Sequence, residues 1–189
     1  MYSVEQLNYF LALGTVALQI LALAFLALFF LQKRFPDLKV IASFLNRRGL
    51  WLGFFLALGA TSMTWYYSDV LGFIPCGWCW VQRVFLWSQV PLFGVALWKC
   101  STSDVEHPMS NIRRDVADYS IALSILGGLA ALYQHYIQMG GTSVLPCPAS
   151  GAGDCAQRII FEFGYVTFPL MAATLFAFLI VLMLFVRHK

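Results

Sequence analysis

Charge is scarce in this chain of 189 residues. Asp, Glu, Lys and Arg together make up 11% of it, whereas hydrophobic residues make up 60%. Mean hydropathy is strongly positive. So few polar groups cannot cover the surface of a soluble domain of this length, and a bilayer is the solvent that this composition fits. No internal repeat or low-complexity tract is present, and the connecting segments are short. Cys100–Asp115 is the only polar stretch of any length. The first apolar run lacks a basic region ahead of it and a small-residue cleavage pattern behind it, and Lys33 and Arg34 follow directly. It reads as a retained span, not as a signal peptide. The length suits one bundle and leaves no room for a second domain.

Five apolar runs stand out: Tyr9–Leu31, Leu50–Leu71, Trp80–Trp98, Val116–Gln138 and Phe163–Val186. Each is close to the about 20 residues that cross a bilayer as a helix. Backbone groups in hydrocarbon must find partners within their own segment, so these runs predict an all-α membrane protein. Orientation follows from basic residues. Lys33, Arg34, Lys39, Arg47, Arg48, Lys99, Arg113, Arg114, Arg187 and Lys189 fall on one side if there are five spans. Retention of positive charge makes that side cytoplasmic, with the N-terminus outside and the C-terminus inside. The Ser68–Cys79 segment and the Gly140–Arg158 loop then face outward. The net charge of +3 is thus a topology signal and implies no nucleic acid.

Four of the five cysteines fall on the outer side, where disulfides persist. Cys76-Gly77-Trp78-Cys79 forms a CxxC at the mouth of the third span, and Cys147 and Cys155 bracket the next outer loop. Cys100, at the cytoplasmic end, reads as a small apolar filler. A CxxC can be a redox pair, half of a zinc site or a structural clip. Pro75 ends the extended approach and places Cys76 and Cys79 near a helix N-terminus, where the dipole favours thiolate. Arg83 follows Cys79 by four residues, hence on the same helical face, and adds a fixed positive charge. Zinc closed by Cys76, Cys79, Cys147 and Cys155 is the weaker alternative, because it gives no reason for an arginine beside the site. Arg83 and Arg158 are the two basic residues outside the one-sided set. Each is either a functional group or an interfacial anchor.

Two outer cysteine pairs permit a relay, since thiol–disulfide exchange needs only a thiolate and a reachable disulfide. Seven residues separate Cys147 from Cys155, and Pro148, Gly151 and Gly153 make that segment a turn that can close. A purely structural clip is the other reading of this pair. The inner pair borders the bilayer, so a lipid-soluble quinone is its natural electron acceptor. Trp78, Trp80, Phe85 and Trp87 crowd this end, as an interfacial aromatic belt or as walls for a planar ring.

The motifs PCGWCWVQR at 75–83, YQH at 133–135 and GDCAQR followed by FG and a proline at 153–169 resemble the disulfide bond formation protein B family, including its BdbC branch. The resemblance covers about Leu50 to Val186. It implies a four-helix transmembrane bundle in residues 47–189, with residues 1–46 as an added N-terminal helix and cytoplasmic basic loop. It implies a thiol:quinone oxidoreductase of the bacterial cytoplasmic membrane, with its active site on the extracytoplasmic face, that supports disulfide formation in exported proteins. By position, Cys79 would lie against the quinone and donate electrons to it, with Cys76 as its resolving partner. Arg83 would bind the quinone carbonyl. Cys147 would form the mixed disulfide with a soluble thioredoxin-like oxidase of the DsbA type, and Cys155 would exchange with Cys76. His135 resembles a family histidine near the quinone, which is ubiquinone or menaquinone.

Three departures accompany the likeness. The loop between Cys147 and Cys155 is too short for the membrane-lying helix of many members. Gln82 stands where other members can have glutamate, a change expected to leave the chemistry unaltered. The first span has no counterpart in the four-span form and is expected to carry no catalytic residue. A vitamin-K-epoxide-reductase-like oxidoreductase would place its CxxC after the loop pair, the reverse of this order. A non-catalytic tetraspan scaffold would leave the Cys79–Arg83 face unexplained.

Overall fold

Apolar segments with no water to bond their backbone fold as helices, and the computed structural model contains five among its described residues. They are α1 (Val4–Leu31), α2 (Leu38–Trp65), α3 (Gly77–Thr102), α4 (Met109–Gln138) and α5 (Phe168–Arg187), with a π-helical turn at Tyr66–Val70 that prolongs α2. The structure describes residues 4–32, 34–35, 37–102, 109–144, 147 and 154–187; Lys33, Pro148, Gly151, Gly153 and Lys189 lie outside the described residues. The all-α expectation holds. Among the described residues three segments, Val4–Leu31, Asn111–Gln138 and Phe168–Arg187, are long and apolar enough to cross a membrane. α2 and α3 match them in length, at 28 and 26 residues, but carry Asn46, Arg47 and Arg48 or Gln82, Arg83 and Gln89 along their course.

Most helices overrun their apolar runs. α1 starts at Val4, before Tyr9; α2 starts at Leu38, well before Leu50; α4 starts at Met109, before Val116. Hydropathy marks where the solvent changes, whereas lysine and arginine propagate a helix nearly as well as leucine. For the same reason the polar Cys100–Asp115 stretch is helical at both ends. α5 alone starts late. Phe163 and Gly164 have φ of 53° and 76°, and Glu162 and Val166 exchange backbone hydrogen bonds of 3.0 and 2.9 Å. The chain reverses there before the helix begins.

α2, α3, α4 and α5 form a closed ring in which each packs on the next and α5 returns to α2. α1 lies outside this ring, mainly against α5. Twelve residues of α5 are buried, compared with Ala12 and Thr15 in α1. Helices associate in an apolar medium through close backbone approach and interhelical hydrogen bonds, and both devices appear. A Cβ on Gly127 of α4 would sit 2.5 Å from the Phe176 ring of α5. Gln89 Nε2 of α3 donates to Ser124 Oγ of α4 at 2.9 Å, and Gln19 of α1 donates to Thr174 of α5 at 3.1 Å.

The two ends of the ring differ chemically. At one end Arg113 donates to the Asn46 carbonyl, Asn46 donates to the Phe185 carbonyl at 2.8 Å, and Arg187 pairs with Asp118 at 2.8 Å. At the other end lie the CxxC, the Cys147–Cys155 disulfide and the turn before α5.

Candidate functional site

The chain leaves the π-helical turn through Gly72, whose φ is +74°, and passes Pro75 before α3 starts at Gly77. Cys76 therefore caps α3 and Cys79 sits in its first turn. The Cys79 N–H, one of the donors that a helix start leaves without a partner, points at Cys76 Sγ at 3.3 Å. The two sulfurs lie 2.6 Å apart and are not joined in a disulfide. Cys76 is 4% exposed. Its thiol is held well above the usual range, first by the hydrogen bond with the Cys79 side chain and then by burial.

Below the pair lies a cavity of about 100 Å³. Cys76, Cys79, Gln82 and Arg83 line one side, Gln134 and Gln138 another, and Tyr67, Phe168, Leu175 and Phe176 supply apolar walls. Arg83 is 9% exposed, so it does not reach outward as an interfacial anchor would. Its Nη2 donates to the Thr64 carbonyl at 2.8 Å and its Nη1 to Ser68 Oγ at 3.4 Å. Its guanidinium centre lies 5.3 Å from the Trp80 ring and 6.0 Å from the Trp87 ring. An apolar pocket with a few polar groups in its lining is the usual form of a small-molecule site.

The outer pair is a disulfide. Cys147 and Cys155 are joined, with Cα atoms 6.1 Å apart, so neither offers a thiolate to a metal beside Cys76 and Cys79. Cys147 is exposed, whereas Cys155 is 4% exposed. Asp154 turns the chain by accepting the Ala156 N–H at 3.0 Å. Asp154 and Gln157, which flank Cys155, both line the cavity. The segment after Cys155 is latched to the end of α4: Gln138 Nε2 donates to the Gln157 carbonyl at 2.8 Å, and Arg158 Nε donates to the Gln138 carbonyl at 2.5 Å. Arg158 also covers the Phe161 ring at 4.6 Å.

Two expected residues lie apart from the pair. His135 Nδ1 is 2.8 Å from Thr167 Oγ1, whose oxygen also accepts the Leu170 N–H at 3.4 Å. The histidine thus ties α4 to the start of α5, and it is not among the residues that line the cavity. Cys100 packs against the apolar core near the opposite end of α3. Sequence reasoning missed Gln134 as a site residue. Its amide reaches both sulfurs of the CxxC, at 2.9 Å to Cys76 and 3.3 Å to Cys79. The available signal was a glutamine next to His135 in the apolar second half of α4, where a polar group needs a reason.

An all-helical bundle with a buried CxxC above a cavity, and a disulfide-bonded loop beside it, has the parts of a membrane thiol–disulfide exchange protein. The family model for the disulfide bond formation protein DsbB matches residues 46–186, and the chain belongs to that family. It is 32% identical over 142 residues to the probable disulfide formation protein C of Halalkalibacterium halodurans, covering 75% of this chain and 93% of that one. It is 28% identical over 143 residues to the disulfide bond formation protein C of Bacillus subtilis, covering 74% and 93%. The SPbeta prophage-derived disulfide bond formation protein B of Bacillus subtilis is 29% identical over 124 residues, covering 66% and 75%. No solved structure matches the chain.

Proposed function

We propose that this protein is a thiol:quinone oxidoreductase that reoxidises a soluble thioredoxin-like dithiol oxidase of the DsbA type. The observation that carries this reading is the shared cavity: Cys79, Arg83 and the residues flanking Cys155 border the same space. In the first exchange a partner thiolate attacks Cys147, the exposed member of the outer disulfide, and Cys155 departs with the electron pair. The partner's second thiol then releases the partner as a disulfide and leaves Cys147 and Cys155 as thiols. Cys155 passes the electrons on by attacking Cys76 of an oxidised Cys76–Cys79 pair, and Cys79 leaves as the thiolate. Closure of the outer disulfide by Cys147 frees Cys76, so two electrons and two protons rest on the inner pair. A quinone, ubiquinone or menaquinone, would supply the two-electron sink when bound. Arg83 holds a fixed positive charge where negative charge would develop.

In this reading all five helices span the bacterial cytoplasmic membrane, with the N-terminus outside and the cysteine end extracytoplasmic. Residues 47–189 form the oxidoreductase and residues 1–46 an added helix with its basic loop. His135 would act near the quinone through the α4–α5 junction and not in the cavity wall. Replacing any one of Cys76, Cys79, Cys147 or Cys155 with Ala is expected to abolish turnover of reduced partner, with Cys100→Ala nearly unaffected. Steady-state oxidation of a reduced DsbA-type protein by purified enzyme and added quinone measures this. Wild-type turnover by Cys147→Ala would refute the two-pair mechanism.

A further inference from the structure

Gln82 of α3 and Gln134 of α4 are 7% and 1% exposed. Gln82 Nε2 donates to Gln134 Oε1 at 2.5 Å. That bond occupies the oxygen end of the Gln134 amide and leaves the nitrogen end on the cysteines, 2.9 Å from Cys76 Sγ and 3.3 Å from Cys79 Sγ. The Gln134 oxygen is farther from Cys79 Sγ, at 3.8 Å. A carboxamide has a donor end and an acceptor end of similar size, so the neighbour at one end decides what the other end presents.

The geometry points to Gln134 as a catalytic residue that donates an N–H to whichever CxxC sulfur is ionised, and to Gln82 as the positioning residue that keeps that amide turned donor-inward. This rests on the reading of Cys76 and Cys79 as an exchanging pair. A buried thiolate loses its hydration, and a donor aimed at it favours the charged form. One N–H group within reach of both sulfurs can follow the charge as exchange moves it from one to the other. The pair does this without adding net charge to an apolar site. Glutamate at 82 reverses the arrangement: an ionised carboxylate only accepts, so it draws the Gln134 N–H away and turns the Gln134 oxygen toward the sulfurs. In this chain glutamine and glutamate at 82 are therefore not equivalent, despite their equal size.

The test is the pH dependence of iodoacetamide alkylation at Cys76 and Cys79 in the reduced, detergent-solubilised full chain, read by peptide mass spectrometry. Near neutral pH, Gln134→Leu and Gln82→Glu are each expected to react at least tenfold more slowly than wild type. Their profiles should move to higher pH and reach the wild-type rate at the alkaline plateau. Gln82→Met, which removes the donor without adding charge, should move the profile less than Gln82→Glu. A profile that superimposes on wild type overturns the assignment, as does a lowered plateau with an unmoved profile, which signals only altered packing. If Gln134→Leu does not accumulate, the near-isosteric Gln82→Glu decides. Alkylation needs neither quinone nor partner, so this outcome is separate from that of the exchanging-pair reading, which fails instead if Cys76→Ala or Cys79→Ala keeps wild-type turnover.

Discussion

An arginine one turn into a mostly apolar helix needs partners for its charge and for its five donors. Arg83 satisfies two donors on Thr64 and Ser68 and rests between two indoles. Asp69 acts on its charge and is linked to it through Ser68 Oγ, which donates to Asp69 Oδ2 at 2.6 Å. Arg83 lines the cavity, so its positive charge borders that space. Loss of one such donor to a developing oxyanion typically costs on the order of 10²–10³ in rate, about 3–4 kcal/mol. Arg83→Gln is expected to lower quinone-dependent turnover by that order and raise the apparent KM for quinone, while single-turnover exchange with reduced partner stays near wild type. Arg83→Lys should recover only part, because a point charge replaces a planar fork. Steady-state kinetics against quinone concentration, beside a quinone-free single turnover, measures both. The CxxC and its arginine were legible because their spacing lies within one helix. Gln134 and Tyr67 were not, since they reach the cavity from other helices and no local period records that meeting.

At the scale of elements, the apolar runs disclosed every helix but few of their ends. Hydrophobicity reports solvent, and α2 and α4 continue past it on residues that propagate helix equally well. The reversal at Phe163 and Gly164 was hidden as well: a phenylalanine at positive φ is not suggested by its own preference. What sets the spacing of α4 and α5 is the absence of a side chain at Gly127. The Phe176 ring fills that space and is itself fully buried, with three of its atoms within 2.8 Å of where a Cβ would stand. Gly127→Ala is expected to destabilise the bundle by about 1–3 kcal/mol, the usual range for overpacking. Phe176 also lines the cavity, so turnover should fall with stability. Gly128→Ala is the control: its Cβ would meet only Phe176 Cβ, at 3.6 Å, an ordinary contact, and the added methyl should change little. Thermal denaturation in detergent, with activity assayed on the same samples, separates the two variants.

On the scale of the whole molecule, α1 braces the cysteine half of the bundle. Asn8 accepts the Tyr67 hydroxyl at 2.5 Å, and Gln19 accepts the Tyr165 hydroxyl at 3.2 Å. Tyr67 is a cavity wall, so α1 contacts a residue that shapes the site. The bundle also has a chemical polarity: Arg47, Arg113 and Arg187 lie toward one end, and Cys76, Cys79 and Cys155 toward the other. Charge bias of this kind sets membrane orientation, because basic segments are retained on the cytoplasmic side. The expected result is one-sided labelling. In intact cells treated with a reductant, a membrane-impermeant maleimide should modify Cys147 quickly, because it is exposed. It should modify Cys76, Cys79 and Cys155 slowly, because Cys76 and Cys155 are each 4% exposed and Cys79 is only partly accessible. Cys100, in the last turns of α3, should react only after the membrane is permeabilised. Single-cysteine variants analysed by mass shift give each rate separately. Fast labelling of Cys100 from outside would invert the bundle, place the basic end outward and overturn the orientation with the N-terminus outside. Slow labelling of Cys147 would instead leave the topology standing and contradict its role as the point where a soluble partner enters.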